Sequence, residues 1–318
     1  YMLDLPRADD DLLDTALMLM RETASELLFE PNAVERERGV LLAERRDRTT
    51  FAQRNLADTV DFMFPGSRFS ERFPLAERED VDSASAATLK AFWERNYVPQ
   101  KTTLVVVGDF DPVLVEAKIK ARFSDWQARE SAPQPGAGPY DPEYKGATKI
   151  YLDPALDTQI AILRNGPWVD EPDTRARRKT AMLRALGYAA ISRRMQRLAQ
   201  GDDPPFRAAG FGTGDVFETA RQTSLTVNAI EGQWQRGMAA AVAEYRQAIE
   251  HGFSAAEIAE QVAQLRTAYE NAAAGAETRS NTALANAAIA LTRDDRVPIG
   301  PSDQLAIFEE VAAVATPA

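Results

Sequence analysis

The chain has 318 residues, 45% of them hydrophobic and 27% charged, and a formal net charge of −11; this is globular composition with enough apolar material for two ordinary cores, and two domains are expected. An acidic balance without extended acidic runs argues against a polyanionic partner such as nucleic acid, and no apolar run reaches the roughly 18 to 20 residues of a membrane span. The absence of cysteine removes disulfides, thiolate nucleophiles and sulfur-ligated zinc, and a single histidine, His251, excludes a two-histidine metal site built from this chain alone.

The first residues, "YMLDLP" (1–6), alternate apolar and polar side chains in the manner of mid-strand, with no initiator Met and no signal-peptide pattern, so the chain is expected to be a piece of a longer protein. Asp9 is the expected N-cap of a helix whose Leu13, Leu17, Met20, Ala24 and Leu27 recur at three- and four-residue steps. Pro31 then marks the first turn of a second helix, expected to run on toward Pro65 and Gly66. A third helix, "SASAATLKAFWERNY", is closed by Val98 and Pro99. Thr102 to Val107 is continuous and rich in β-branched residues, which predicts a strand buried on both faces and broken by Gly108. Asp111 as N-cap and Pro112 at the first helical position open the helix after it.

Pro and Gly concentrate between Ala128 and Gly146, and a linker is expected over 129–146, between a first unit at 1–128 and a second at 147–318. In the second unit "TKIYLD" and "TQIAILRNG" read as strands, "TRARRKTAMLRALGYAAISRRMQRLAQ" as a long helix, and "FRAAGFGTG" with "TARQTSLTVNAI" as a strand pair. A helix ending at His251 before Gly252 follows, and Ser254 with Glu257 forms a capping-box signature for the next. The predicted class is α+β: two tandem α/β layered units, each a mixed, mainly antiparallel sheet with helices packed on one face.

Glu37 and Glu44 lie seven residues apart on the second helix and so share a face, separated by two turns, roughly 10 Å along the axis. With Leu41 taken as the centre of the apolar arc, they fall about 40 to 60 degrees to one side, between Leu41 and Val40, where an unpaired carboxylate would be costly to desolvate. Two readings stay open on spacing alone. One is a solvated charged face, with Glu44 and Arg48 as an i,i+4 pair; the other is a site.

"AVERERGVLLAERRD" (33–47) resembles the segment that follows the catalytic motif in the insulinase/pitrilysin family of zinc metallopeptidases, the inverted-motif class. The opening "YMLDLP" and its helix, "VDSASAATLKAFWERNYVPQKTTLVVVGDFDP" and "ISRRMQRLAQ" before a strand pair resemble the same family in the same order, which covers nearly the whole chain. The resemblance implies that Glu44 is the distal zinc-ligand glutamate and Glu37 the acidic residue that supports the site. In that family both histidines and the general-base glutamate come from one His-x-x-Glu-His helix, and the motif does not occur in this sequence. It is expected to lie before Tyr1, so that the full-length protein is a zinc-dependent endopeptidase while this piece neither holds catalytic zinc nor hydrolyses peptides. The resemblance further implies unfolded peptides as substrate and a closed chamber formed with a homologous second half or partner subunit. It leaves a periplasmic or a cytoplasmic location open, the periplasm being favoured. The competing class is a non-catalytic structural or substrate-binding subunit of the same fold.

The remaining features have plainer readings. His251 suits the negative end of a helix dipole. The glycines of "GFGTGD" suit a hairpin or bulge, because no Lys-Ser/Thr follows them. Phe92, Trp93, Phe123 and Trp126 are expected in the core, and Arg193, Arg194 and Arg197 on a solvated face.

Overall fold

The computed structural model describes residues 1–72, 82–136, 138 and 140–316. In chain order the elements are α1 (Asp10–Ser25), α2 (Pro31–Arg48), α3 (Phe51–Met63), α4 (Arg68–Arg72), α5 (Ala86–Asn96), α6 (Pro112–Phe123), β1 (Gln159–Pro167), α7 (Arg175–Ala199), β2 (Ala208–Val216), β3 (Ala220–Asn228), α8 (Trp234–His251), α9 (Ala255–Ala274), α10 (Asn281–Asp294) and α11 (Pro301–Ala312). This is the expected α+β class. The chain divides into two compact units, one made of Tyr1–Thr49, Pro74–Pro135 and Ser280–Thr292, the other of Thr50–Phe73, Gly136–Arg279 and Arg293–Ala318. The described residues of 129–146 carry no helix or strand.

In the first unit, the Asp9 side chain accepts from the Asp11 and Leu12 amides at 3.1 Å and starts α1. The helix packs against α6, and Lys118 of α6 reaches Asp14 at 2.8 Å. Buried Trp93 of α5 donates its indole N–H to the Thr23 carbonyl at 3.1 Å and meets the Phe29 ring at a tilted angle, 5.6 Å between centroids. Trp126 is buried and Phe123 half-buried, but Phe92 is 57% exposed and is not core. Helical spacing put Phe92 beside Trp93 in the sequence, yet adjacent helical residues point about 100 degrees apart, so burying one turns the other outward.

Three predicted strands do not form. Residues 1–6, 102–107 and 148–153 are assigned to no strand, and Leu104 to Val107 are half-buried where burial on both faces was expected. A period-2 or β-branched pattern supplies the strand-like face, whereas the ladder needs a neighbour to exchange hydrogen bonds with. Segment 148–153 is instead tied by alternate residues to α3. Lys149 pairs with Asp58 at 2.7 Å and Asp153 with Arg54 at 3.1 Å, which leaves Ile150 79% and Leu152 87% exposed.

The second helix also stops earlier than predicted. Thr49 turns its hydroxyl back onto the Arg45 carbonyl at 2.6 Å, and the Thr50 hydroxyl accepts from the Gln53 amide at 3.2 Å, starting α3. A cap within the run ends one helix and opens another.

The second unit holds the one sheet among the described residues, antiparallel in the order β1-β3-β2. Ile162 and Phe211 both oppose Leu225, which puts the three on one face. That face packs on α7 and α8 around Ile191, Met195, Phe206, Leu225, Val227 and Ala241. On the other face Gln222 donates to Asn165 at 3.0 Å and reaches the Met63 sulfur of α3 at 3.1 Å. Helix α8 can lie this close because of Gly237, where a Cβ would stand 3.1 Å from the Pro205 carbonyl oxygen and 3.3 Å from Val227. The far side of α7 forms a second cluster, Leu186 with Phe308 and Val311 of α11, joined by Leu265 and Tyr269 of α9. His251 is the last residue of α8, and Gly252 beyond it has φ of 65°, the left-handed value that favours glycine at a helix end.

Helix α9 starts with the predicted capping box, and its Glu257 also takes a bidentate contact from Arg194 of α7 at 2.5 and 2.9 Å. Both side chains are largely buried. The Arg194 guanidinium, opposed by partial burial and helped by the Ser254 amide and hydroxyl, holds the Glu257 carboxyl down to about 2, from an ordinary value of 4.5. A depressed carboxylate contributes stability that is present above its unfolded pKa and lost as pH falls through the folded one. Arg194→Met is expected to lower unfolding stability by about 3 kcal/mol at neutral pH, as loss of one partner of a buried pair does. Urea titrations at several pH values should show the gap from the parent protein narrowing between pH 4.5 and 2.

Candidate functional site

Pro31 occupies the first position of α2, and Glu30 before it makes no side-chain cap bond. No described side chain of the helix is buried. Val40 is 58% and Leu41 49% exposed, Glu37 is exposed and Glu44 half-buried. Among the described residues, then, Glu37, Val40 and Leu41 of the arc expected to face inward lie at the surface, while Glu44 is half-buried. The side of α2 that is covered is the arginine side. Arg38, with 15% of its side chain exposed, donates to the Asp82 and Ala84 carbonyls at 2.7 and 2.6 Å and to Glu35 at 3.1 Å. Arg45 donates to the Asp82 carboxylate at 2.9 Å. The Arg48 side chain of the expected Glu44–Arg48 pair lies outside the described residues.

Among the described residues no three His, Asp or Glu side chains form a group that could hold a metal ion. His251, the one histidine, closes α8 in the other compact unit. A catalytic zinc takes three protein ligands and one open position, and α2 offers it a single carboxylate with a second acid a heptad away. The residues present do not complete a zinc site.

The other sequence candidates resolve into structural roles. Gly210 to Asp215 lie in β2, paired with β3 around a tight turn in which Phe217 and Glu218 have positive φ. Arg193 and Arg197 both bind Glu260, at 2.8 and 2.7 Å, so these arginines with Arg194 tie α7 to α9; Arg197 stays half exposed, as a solvated face would have it, whereas Arg194 is largely buried. A surface cavity of about 220 Å³ beside the end of α1 is lined by Arg21, Ser25, Glu26, Asp125, Trp126 and Arg129. Its Arg21 is already set against Asp125 at 3.2 Å and Glu26 at 3.7 Å, and neither acid of α2 lines it. Sequence reading missed the hold on Arg38. The heptad spacing of Arg38 and Arg45 was visible, but backbone carbonyls more than 40 residues away carry no sequence signal.

Comparison with known proteins gives a consistent family picture. The family model described as the Peptidase M16 inactive domain matches residues 83–265, a span that excludes α2. The chain is 25% identical over 209 residues to a zinc protease PQQL-like protein of Arabidopsis thaliana, covering 65% of this chain and 22% of that one. It is 25% identical over 259 residues to the probable zinc protease PqqL of Escherichia coli, covering 81% and 28%. The chain thus spans about a quarter of the length of the curated relatives it matches. Its fold superposes on the crystal structure of the periplasmic protease PqqL from Escherichia coli with a TM-score of 0.87 at 23% identity, over 98% of this chain and 34% of that one.

Because no described group gathers three metal donors, treatment of the 318-residue chain with a chelator is expected to leave its thermal unfolding midpoint unchanged. Calorimetry with and without chelator checks this; a clear fall in the midpoint would reveal a built metal site.

Proposed function

The chain belongs to the peptidase M16 (insulinase) family, and from that premise we propose that it is part of a zinc-dependent endopeptidase to which it contributes one metal-ligand carboxylate, Glu44, with Glu37 in support. The remaining ligands and the general base are taken to come from outside these 318 residues. The observation that carries this reading is the asymmetry of α2. Its arginine side is bound down within the first unit, while Glu37, Val40 and Leu41 stay open on the side that bears the acids, and Glu44 is half-buried there. A helix that exposes a carboxylate next to large apolar residues presents the surface another element would cover on completing a site. One coordinating oxygen from Glu44, steadied by a second acid, matches the way outer acids orient metal ligands.

The substrate class under this reading is unfolded peptide, taken into a chamber that a homologous second half or partner subunit closes. The periplasm is the favoured compartment, in line with the periplasmic protease it superposes on. No helix among the described residues is long and apolar enough to cross a membrane. A second reading, a non-catalytic substrate-binding part of the same assembly, is favoured by the matched family model being that of an inactive domain.

Two substitutions in the full-length protein separate these readings. Glu44→Gln is expected to lower bound zinc and peptidase rate together, whereas normal zinc by elemental analysis would remove Glu44 from the ligand set and favour the second reading. Glu37→Gln is expected to cost roughly 10- to 100-fold in rate with a smaller change in metal content.

A further inference from the structure

We infer that Arg38 and Arg45 are positioning residues that set the rotation of α2 about its own axis and so aim the Glu37/Glu44 stripe; this deepens the reading of α2 given under Proposed function and rests on it. Most helices have their rotation fixed by burying an apolar stripe. Helix α2 has no buried side chain among its described residues. Its orientation within the first unit must come from polar anchors, and two lie along one side. Arg38 spans two carbonyls, of Asp82 and Ala84, and Arg45 one heptad later takes the Asp82 carboxylate. Two anchors about 10 Å apart along the axis, both on the same three-residue stretch, fix rotation as well as position, which a single anchor cannot do.

The register links this clamp to the acids. Glu37 precedes Arg38 and Glu44 precedes Arg45, so the acid stripe sits about 100 degrees around the helix from the arginine stripe at both levels. Any roll of α2 that loosens the arginines displaces both carboxylates in the same sense. One acceptor, the Ala84 carbonyl, directly precedes Ser85, which caps α5 by accepting from the Thr88 amide at 3.1 Å. The planar guanidinium of Arg38 suits two carbonyls in a way a lysine ammonium does not.

The test uses the full-length protein and a charge exchange. Arg45→Asp places like charges together; adding Asp82→Arg restores an ion pair of opposite sense and leaves the Asp82 backbone carbonyl for Arg38. The single variant is expected to speed amide hydrogen exchange across α2 roughly 10-fold. It is also expected to lower kcat roughly 10- to 100-fold and zinc content with it, with KM held within about twofold. The double exchange is expected to recover all three. Arg45→Met, which keeps the aliphatic stem, should reproduce the single loss if Arg45→Asp fails to fold, and Arg38→Lys should recover only part of the function that Arg38→Met loses. Parent-like α2 exchange and kcat in Arg45→Met, or no recovery in the double exchange, would overturn the clamp. Failure of the zinc reading is separate and appears as unchanged zinc in Glu44→Gln; a clamp that fails leaves that result standing.

Discussion

A single helix apolar on two opposite sides organises the second unit. Leu186 and Met195 of α7 are nine residues apart, close to half a turn in projection, and both are fully enclosed. Met195 belongs to the cluster against the sheet and α8, Leu186 to the cluster against α9 and α11. Beyond Leu186 on the same side, two to three turns along the helix, Arg193 and Arg197 engage Glu260 of α9, and Arg194, about 80 degrees around, engages Glu257. The ion pairs thus continue the α9-facing side of α7 past the end of its apolar cluster.

Helix α2 works in the opposite way. Its described residues include no buried side chain, and contacts to Asp82 and Ala84 hold its arginine side. Packing alone would have consumed Val40 and Leu41; here they remain at the surface beside the acids.

Local signals were the readable part of the sequence. The caps at Asp9 and Asp111, the Pro31 and Pro112 first turns and the Ser254/Glu257 box appear where expected, because each acts within about four residues. The break at Thr50 was equally local, a threonine followed three residues later by glutamine, and was hidden by the strong charged pattern on both sides. Gly300 and Pro301 likewise announce α11, which the sequence reading left without an element. Pairing was not readable. Residues 102–107 have a strand's composition but no described ladder, since hydrogen-bond partners are a property of distant chain. For the candidate site, spacing grouped Glu37 with Glu44, but the contacts that orient α2 depend on carbonyls at 82 and 84, and those appear only in three dimensions.

The path of the chain has a practical consequence. Each compact unit is assembled from three separate stretches, with crossings after Thr49, Phe73, Pro135, Arg279 and Thr292. A protease nicking the Pro-rich stretch near residue 135 would release no intact body: the leading product would lack 280–292 and carry 50–73 of its neighbour. The two bodies are interlaced in sequence, so neither can be excised as a contiguous piece, and a cut anywhere between residues 50 and 292 leaves parts of both on each side or breaks one of them.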